Sequence, residues 1–190
     1  DVNPSRGLGD VYKRQEGFYY SRYDQPKGNE LTAKTDQHKL YFHKVGEEQE
    51  ADALIFGGDP NNKFRYVSGQ VTEDQQYLII SGANSTSGNR LYVQNLEDKS
   101  APIRPVVEDE SSDIYVLTSV EDTLYAYTNR DADNGRIVSF SYAASDPSSW
   151  VEVIEETEHV LTASTVGGFL FAEYMIDAIS AVKQFDLKGN

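Results

Sequence analysis

The side chains able to do chemistry here are few in kind: three histidines, no cysteine, and 31 carboxylates against 17 lysines and arginines. His38 and His43 lie five apart in a stretch that reads as a strand, so alternation turns them to opposite faces and away from a shared ion. His159 stands beside Glu158 in an acidic run. No serine occupies a Gly-x-Ser-x-Gly elbow, the signature of the α/β-hydrolase nucleophile. A Ser-His-Asp triad is a spatial arrangement that spacing alone does not decide. None of the three histidines is assigned a catalytic role, and no cysteine is present to act as nucleophile or metal ligand.

The carboxylates come in adjacent groups, Glu73-Asp74, Glu97-Asp98, Glu108-Asp109-Glu110 and Glu121-Asp122. Two opposed carboxylates are what a glycosidase needs, and an acidic glycosidase is the weakest of three functional readings. These groups recur at equivalent turns of successive segments, which is how structural punctuation behaves. The loop Asp131-Ala132-Asp133-Asn134-Gly135 is similar to a calcium loop, but its glycine comes one residue early and no glutamate closes it. It is read as a hairpin tip, and no metal or cofactor is expected. Asn84-Ser85-Thr86 matches a glycosylation acceptor and is read as an accidental match in a polar loop.

The elements that must position any site repeat along the chain. Apolar first-strand cores begin at Phe18, Tyr77, Leu124 and Phe169, spaced 59, 47 and 45 residues apart. Second-strand cores begin at Lys39, Arg90, Arg136 and Ala181, spaced 51, 46 and 45. The hairpin at 71–98 sets the pattern. Tyr77-Leu78-Ile79-Ile80 is apolar on both faces, as a strand covered on two sides requires. Leu91-Tyr92-Val93 answers it across a loop at 82–89. A period of roughly 45 to 50 residues with about four strands per unit is the signature of a β-propeller blade; an evenly spaced β-sandwich is the other architecture such strands allow.

In chain order, strands are expected at 17–23, 37–46, 54–56, 65–71, 114–118, 123–128, 136–142, 150–154 and 179–187, with a polar loop at 24–36. A proline-bearing outer edge strand is expected after Asp98, since an edge tolerates Pro102 and Pro105. Asn134-Gly135 reads as a two-residue hairpin turn, and Gly167-Gly168 introduces the last complete inner strand. Little helix is expected. Residues 1–15 carry a net charge of +1 within a chain of −14, show no alternation, and look like a translated adapter or a disordered terminus. The domain is therefore placed at 16–190.

The net charge of −14 argues against nucleic acid and anionic membranes as partners, because both recruit clustered Lys and Arg. No apolar run approaches membrane-spanning length. A soluble protein of the cytoplasm or periplasm is expected.

Several stretches taken together resemble the N-terminal propeller of the prolyl oligopeptidase family of serine peptidases. They are the run from Gln37 through Leu40, Tyr41, His43 and Gly46 with Gln49 and Asp52 following; Ser68-Gly69-Gln70 leading into Tyr77-Leu78-Ile79-Ile80-Ser81 and Gly88-Asn89-Arg90-Leu91-Tyr92-Val93; and Thr128-Asn129-Arg130-Asp131-Ala132 with Trp150-Val151-Glu152-Val153-Ile154. Asp133 and Glu155 stand where family members usually carry proline, which touches only local loop shape.

The resemblance implies three to four blades of a seven-bladed ring, truncated at both ends. That ring would cap an α/β-hydrolase domain bearing a Ser-Asp-His triad and cleaving short peptides after proline. The propeller would act as a size filter, its partners being its own catalytic domain and short proline-containing peptides. All catalytic residues would lie beyond Asn190. Arg90 is nominated as substrate-facing, with an ion pair to a neighbouring blade as its other available role. A non-catalytic propeller scaffold is the alternative function. Blades left without neighbours are expected to make residues 16–190 poorly stable in isolation.

Overall fold

The structure is a computed structural model that describes residues 17–23 and 37–190. The adapter-like stretch at 1–15 and the loop at 24–36 fall outside the described residues. Among the described residues, fourteen strands form four sheets in chain order. The first holds β1 (Gly17–Tyr23), β2 (His38–Lys44) and β3 (Ala53–Phe56); the second β4 (Tyr66–Val71), β5 (Tyr77–Ala83), β6 (Arg90–Asn95) and β7 (Arg104–Val107). The third holds β8 (Ile114–Val120), β9 (Thr123–Thr128), β10 (Arg136–Ser141) and β11 (Val151–Ile154); the fourth β12 (Leu161–Val166), β13 (Phe169–Ile176) and β14 (Ile179–Phe185). Each sheet runs up and down through consecutive strands, the build of a propeller blade. Helix is confined to two short 3-10 turns among the described residues.

Two compact units are distinguished, the described part of Asp1–Gln70 with Ile80–Asn84, and Val71–Ile79 with Ser85–Asn190. In the first, Leu40 of β2 is fully buried and lies where any side chain at Gly69 of β4 would meet its methyls at 2.7 Å. Phe64 likewise covers Gly82, at 2.8 Å from the position of an added Cβ. Small residues on one element thus admit large ones from the next.

The second unit explains why its strands look apolar on both faces. Leu124, Ala126, Val138 and Phe140 of the third sheet join Tyr77, Leu91, Val93 and Val107 in one core. Ile137 and Ile154 of the same sheet join Leu161, Leu170, Ala172 and Tyr174 of the fourth in another, with Tyr125 and Tyr127 packed against it. Alternate residues of β9 and β10 therefore serve two different cores, as the two-residue period dictates. The far face of the fourth sheet leaves Val166, Phe169, Met175 and Val182 exposed.

The strand at Arg104–Val107 holds Pro105 as expected, on a short outer strand paired on one side with β6. Its other edge is occupied in part: Ser145 Oγ donates to the Pro105 carbonyl and Tyr142 Oη to the Pro102 carbonyl at 2.6 Å.

Three expectations change. Asn134-Gly135 is not a two-residue turn, because β9 ends at Thr128 and β10 starts at Arg136. The intervening loop closes on its own backbone bonds, Ala132 N–H to the Asn129 carbonyl and Gly135 N–H to the Ala132 carbonyl. Tight two-residue turns lie instead at Gly167-Gly168, with φ of +59° and +80°, and at Asp177-Ala178, with φ of +49° and +63°, each the pair of left-handed residues that a type I′ hairpin requires. β5 runs on through Gly82 to Ala83, shortening the central loop at its start. β12 went unread in the sequence: Leu161–Val166 is polar at alternate positions and follows a charged connector.

Candidate functional site

The first strands of the third and fourth sheets, β8 and β12, lie beside one another. The Tyr115 hydroxyl on β8 is hydrogen-bonded to the Ala163 backbone of β12, and its ring stacks on Tyr127 at 4.7 Å. Burial pushes the Tyr115 phenol above its ordinary value. The third and fourth sheets therefore meet at their first strands, which would border the channel of a closed ring.

Arg90 opens β6, and its Nε lies 3.2 Å from Glu110 Oε1 on the connector between β7 and β8. Both side chains are largely buried, at 26% and 18% exposure. The ion-pair role left open by the sequence is thus the contact that the geometry supplies.

The ends of the blades carry a repeated clasp. Asn89, just ahead of β6, accepts the Ile114 N–H on Oδ1 at 2.9 Å and donates from Nδ2 to the Ile114 carbonyl at 3.0 Å. Its own N–H bonds the Ser112 carbonyl. His38, the first residue of β2, makes the corresponding pair: its N–H donates to the Phe64 carbonyl and its Nδ1 accepts the Val67 N–H, both at 2.8 Å. Asn134 closes the next junction through its carbonyl to Leu161 N–H at 2.7 Å and its amide to the Thr157 carbonyl at 2.9 Å. Each clasp satisfies backbone groups that the start of the next blade would otherwise leave bare. The signal was visible in the alignment of Lys39 with Arg90, which already placed His38 opposite Asn89.

His43 lies on the other face of β2, as alternation requires. Its Nδ1 is 2.7 Å from Asp52 Oδ1, and the Tyr20 hydroxyl donates to the other Asp52 oxygen. Burial works to raise the Asp52 carboxyl, but these bonds with Tyr20 and His43, aided by Arg22, hold it below its usual value. Arg22 stacks over the Tyr41 ring at 4.3 Å. His159 Nε2 lies 3.6 Å from Glu158, on an exposed connector. The structure does not bring the three histidines together.

The acidic groups hold turns. Asp98 accepts the Ser100 N–H and hydroxyl, and Asp109 does the same for Ser111 while pairing with Arg130 at 3.0 Å. Asp74 accepts from Thr72 Oγ1, the Gln76 N–H and Ser119 Oγ, the last at 2.7 Å. Burial works to raise its carboxyl, and the three donors outweigh it and hold the group below its ordinary value. A depressed carboxylate contributes stability that is present above an unfolded value of about 3.9 and lost as pH falls through the folded one. Asp74→Asn is therefore expected to cost about 1 kcal/mol at neutral pH after solvent screening and much less near pH 2. Urea melts at the two pH values measure this, and an equal cost at both contradicts the assignment.

Asn84 Oδ1 accepts the Arg65 N–H at 3.0 Å, which gives that amide a structural use. An open groove of about 750 Å³ runs along β7, with Arg104, Arg130, Asp109 and Asp146 among its walls. Its charges are partly spent on one another, Arg130 on Asp109 and Arg104 over the Tyr142 ring. Among the described residues, no group of three or more His, Cys, Asp or Glu is placed to hold a metal ion.

Up-and-down sheets of three and four strands, repeated along the chain, define a propeller domain. Residues 12–190 match the family model described as the prolyl oligopeptidase N-terminal β-propeller domain, and the chain belongs to that family. It is 46% identical over 175 residues to a prolyl endopeptidase of Elizabethkingia meningoseptica, covering 92% of this chain and 24% of that protein. It is 28% identical over 155 residues to a prolyl oligopeptidase of Omphalotus olearius, covering 72% of this chain and 20% of that one. A structure from an analysis of two prolyl endopeptidases superposes with a TM-score of 0.82 at 24% identity, over 97% of this chain and 26% of that chain. Prolyl oligopeptidase B of Galerina marginata, bound to a 35-residue hydrolysis and macrocyclization substrate, gives 0.77 at 22% identity, over 92% of this chain and 25% of that one. The chain thus spans about a quarter of the length of the relatives it matches. No helix among the described residues is long and apolar enough to cross a membrane.

Proposed function

We propose that this chain is part of the gating propeller of a serine peptidase that hydrolyses short peptides on the carboxyl side of proline. The 46% identity to a prolyl endopeptidase over 92% of the chain carries this reading. The fold supports that physical role. Blades packed through two-sided cores are rigid, so a ring of them encloses a cavity whose opening limits what enters. A short peptide passes and a folded protein does not.

On this reading residues 16–190 are the propeller portion, and the exposed face of Val166, Phe169, Met175 and Val182 is the seat of a further blade. The catalytic serine, aspartate and histidine belong to a separate α/β-hydrolase domain that is the propeller's partner. Arg90 is proposed to meet substrate, its guanidinium oriented by Glu110.

Translation of the intact gene through both ends tests the proposal. More blades, then a strand leading to a Gly-x-Ser-x-Gly elbow with Asp and then His downstream, are the expected result. A frame that closes after further blades with no such elbow overturns the enzyme reading.

A further inference from the structure

The clasp in which a side chain accepts the next blade's N–H occurs at Asn89 and at His38, and the two differ in one chemical respect. Asn89 is an amide and keeps the same donors and acceptor across the whole working pH range. At the junction of β2 with β4 the same place is taken by an imidazole. The Val67 N–H donates to His38 Nδ1 at 2.8 Å, so that nitrogen must carry its lone pair and the ring proton must sit on Nε2. We propose that His38 makes the β2–β4 junction acid-sensitive: a proton taken up from solvent at Nδ1 removes the acceptor, sets two N–H groups against each other, and releases the start of β4.

The surroundings favour the neutral ring. Tyr23 of β1 stacks on it at 4.3 Å, and the Tyr23 hydroxyl is committed to the Arg65 carbonyl at 2.8 Å. From the segment ahead of β4 come the Phe64 carbonyl, which accepts the His38 N–H, and the residues Lys63 and Arg65. On β2 the neighbour is Lys39, and Arg22 of β1 is turned to the opposite face over Tyr41. Lys39, Lys63 and Arg65, which adjoin His38 and Phe64 in the sequence, are cationic. Burial lowers the imidazole from its ordinary value. By linkage, a lowered histidine stabilises the fold fully above about 6.5, and that contribution is lost as pH falls through the folded value. The junction therefore loosens in mild acid and is closed at neutral pH. This inference does not depend on the peptidase reading.

Amide hydrogen exchange of Val67 in the 190-residue chain, corrected for the intrinsic pH dependence of exchange, tests it. Protection at pH 7.5 is expected to drop by about tenfold at pH 5, the scale of one net hydrogen bond. His38→Asn is expected to keep Val67 protected at both pH values, since it supplies the amide acceptor that Asn89 provides at the next junction. His38→Gln serves the same purpose if the asparagine variant does not fold. Unchanged wild-type protection at pH 5, or the same loss in the amide variants, overturns the proposal. So does a nitrogen shift of the His38 ring that places the proton on Nδ1 at pH 7.5.

Discussion

Gly88→Ala should destabilise the domain by about 3–5 kcal/mol, among the largest effects expected of a single methyl. Two costs add. Gly88 has φ of +75°, a left-handed conformation that costs a residue with a Cβ about 1–2 kcal/mol. An added Cβ would also stand 1.9 Å from the Glu110 carbonyl oxygen and 2.7 Å from its carbon. Backbone, unlike the tip of a flexible side chain, does not swing aside. The residue is held in place by its own N–H, which donates to Asp113 Oδ1 at 2.7 Å, and by the Asn89 clasp beside it. Relief of the clash must therefore pull the β5–β6 loop away from the connector that leads into β8, and with it the Arg90–Glu110 pair. Denaturant melts of the variant measure the loss, and a cost below about 1 kcal/mol would show that the loop and connector are not in contact.

Leu124→Ala is the second large effect, at about 2.7–5.0 kcal/mol. Leu124 is fully buried in the core that joins the second and third sheets, among Leu91, Val93, Val107, Ile114, Val138 and Phe140. The truncation removes the transfer energy of three heavy atoms and leaves a cavity. That cavity collapses poorly because its walls come from two sheets, and the third is pinned on its far side. The third sheet is held by the core around Ile137, Leu161 and Leu170. Equilibrium melts should show a lower midpoint with an unchanged slope. A cost under about 1 kcal/mol would mean that the sheets repack freely, against the two-sided core described above.

Much of the architecture is legible in the sequence for one physical reason. A blade packed between neighbours carries apolar residues on both faces of its inner strands, and runs such as Tyr77-Leu78-Ile79-Ile80 and Leu124-Tyr125-Ala126-Tyr127 repeat at the blade period. β12 escapes that reading because it is the first strand of its sheet. Only Leu161 and Ala163 face a core, and Thr162, Ser164 and Thr165 between and after them read as loop. The turn at Asn134-Gly135 misleads because local turn chemistry is overruled by tertiary bonds: Asn134 is committed to Leu161 and Thr157 across the junction. Site-level features were harder still. His38 and His43 read correctly as facing opposite ways, yet their partners Val67 and Asp52 are 29 and 9 residues distant, and no local pattern marks such pairings. The carboxylate groups at 73–74, 97–98 and 108–110 were legible as punctuation because Asp followed two residues later by Gln or Ser is the spacing of a side-chain-closed turn.

The proposal that these blades belong to a peptidase whose propeller admits short proline peptides and excludes folded proteins is tested most directly on the intact protein. The intact protein should be given a short peptide containing an internal proline, and the same sequence embedded in a stably folded protein. Cleavage of the short peptide on the carboxyl side of proline, with the folded protein left whole, is the predicted result. No cleavage of the peptide, or equal cleavage of both substrates, would contradict the account.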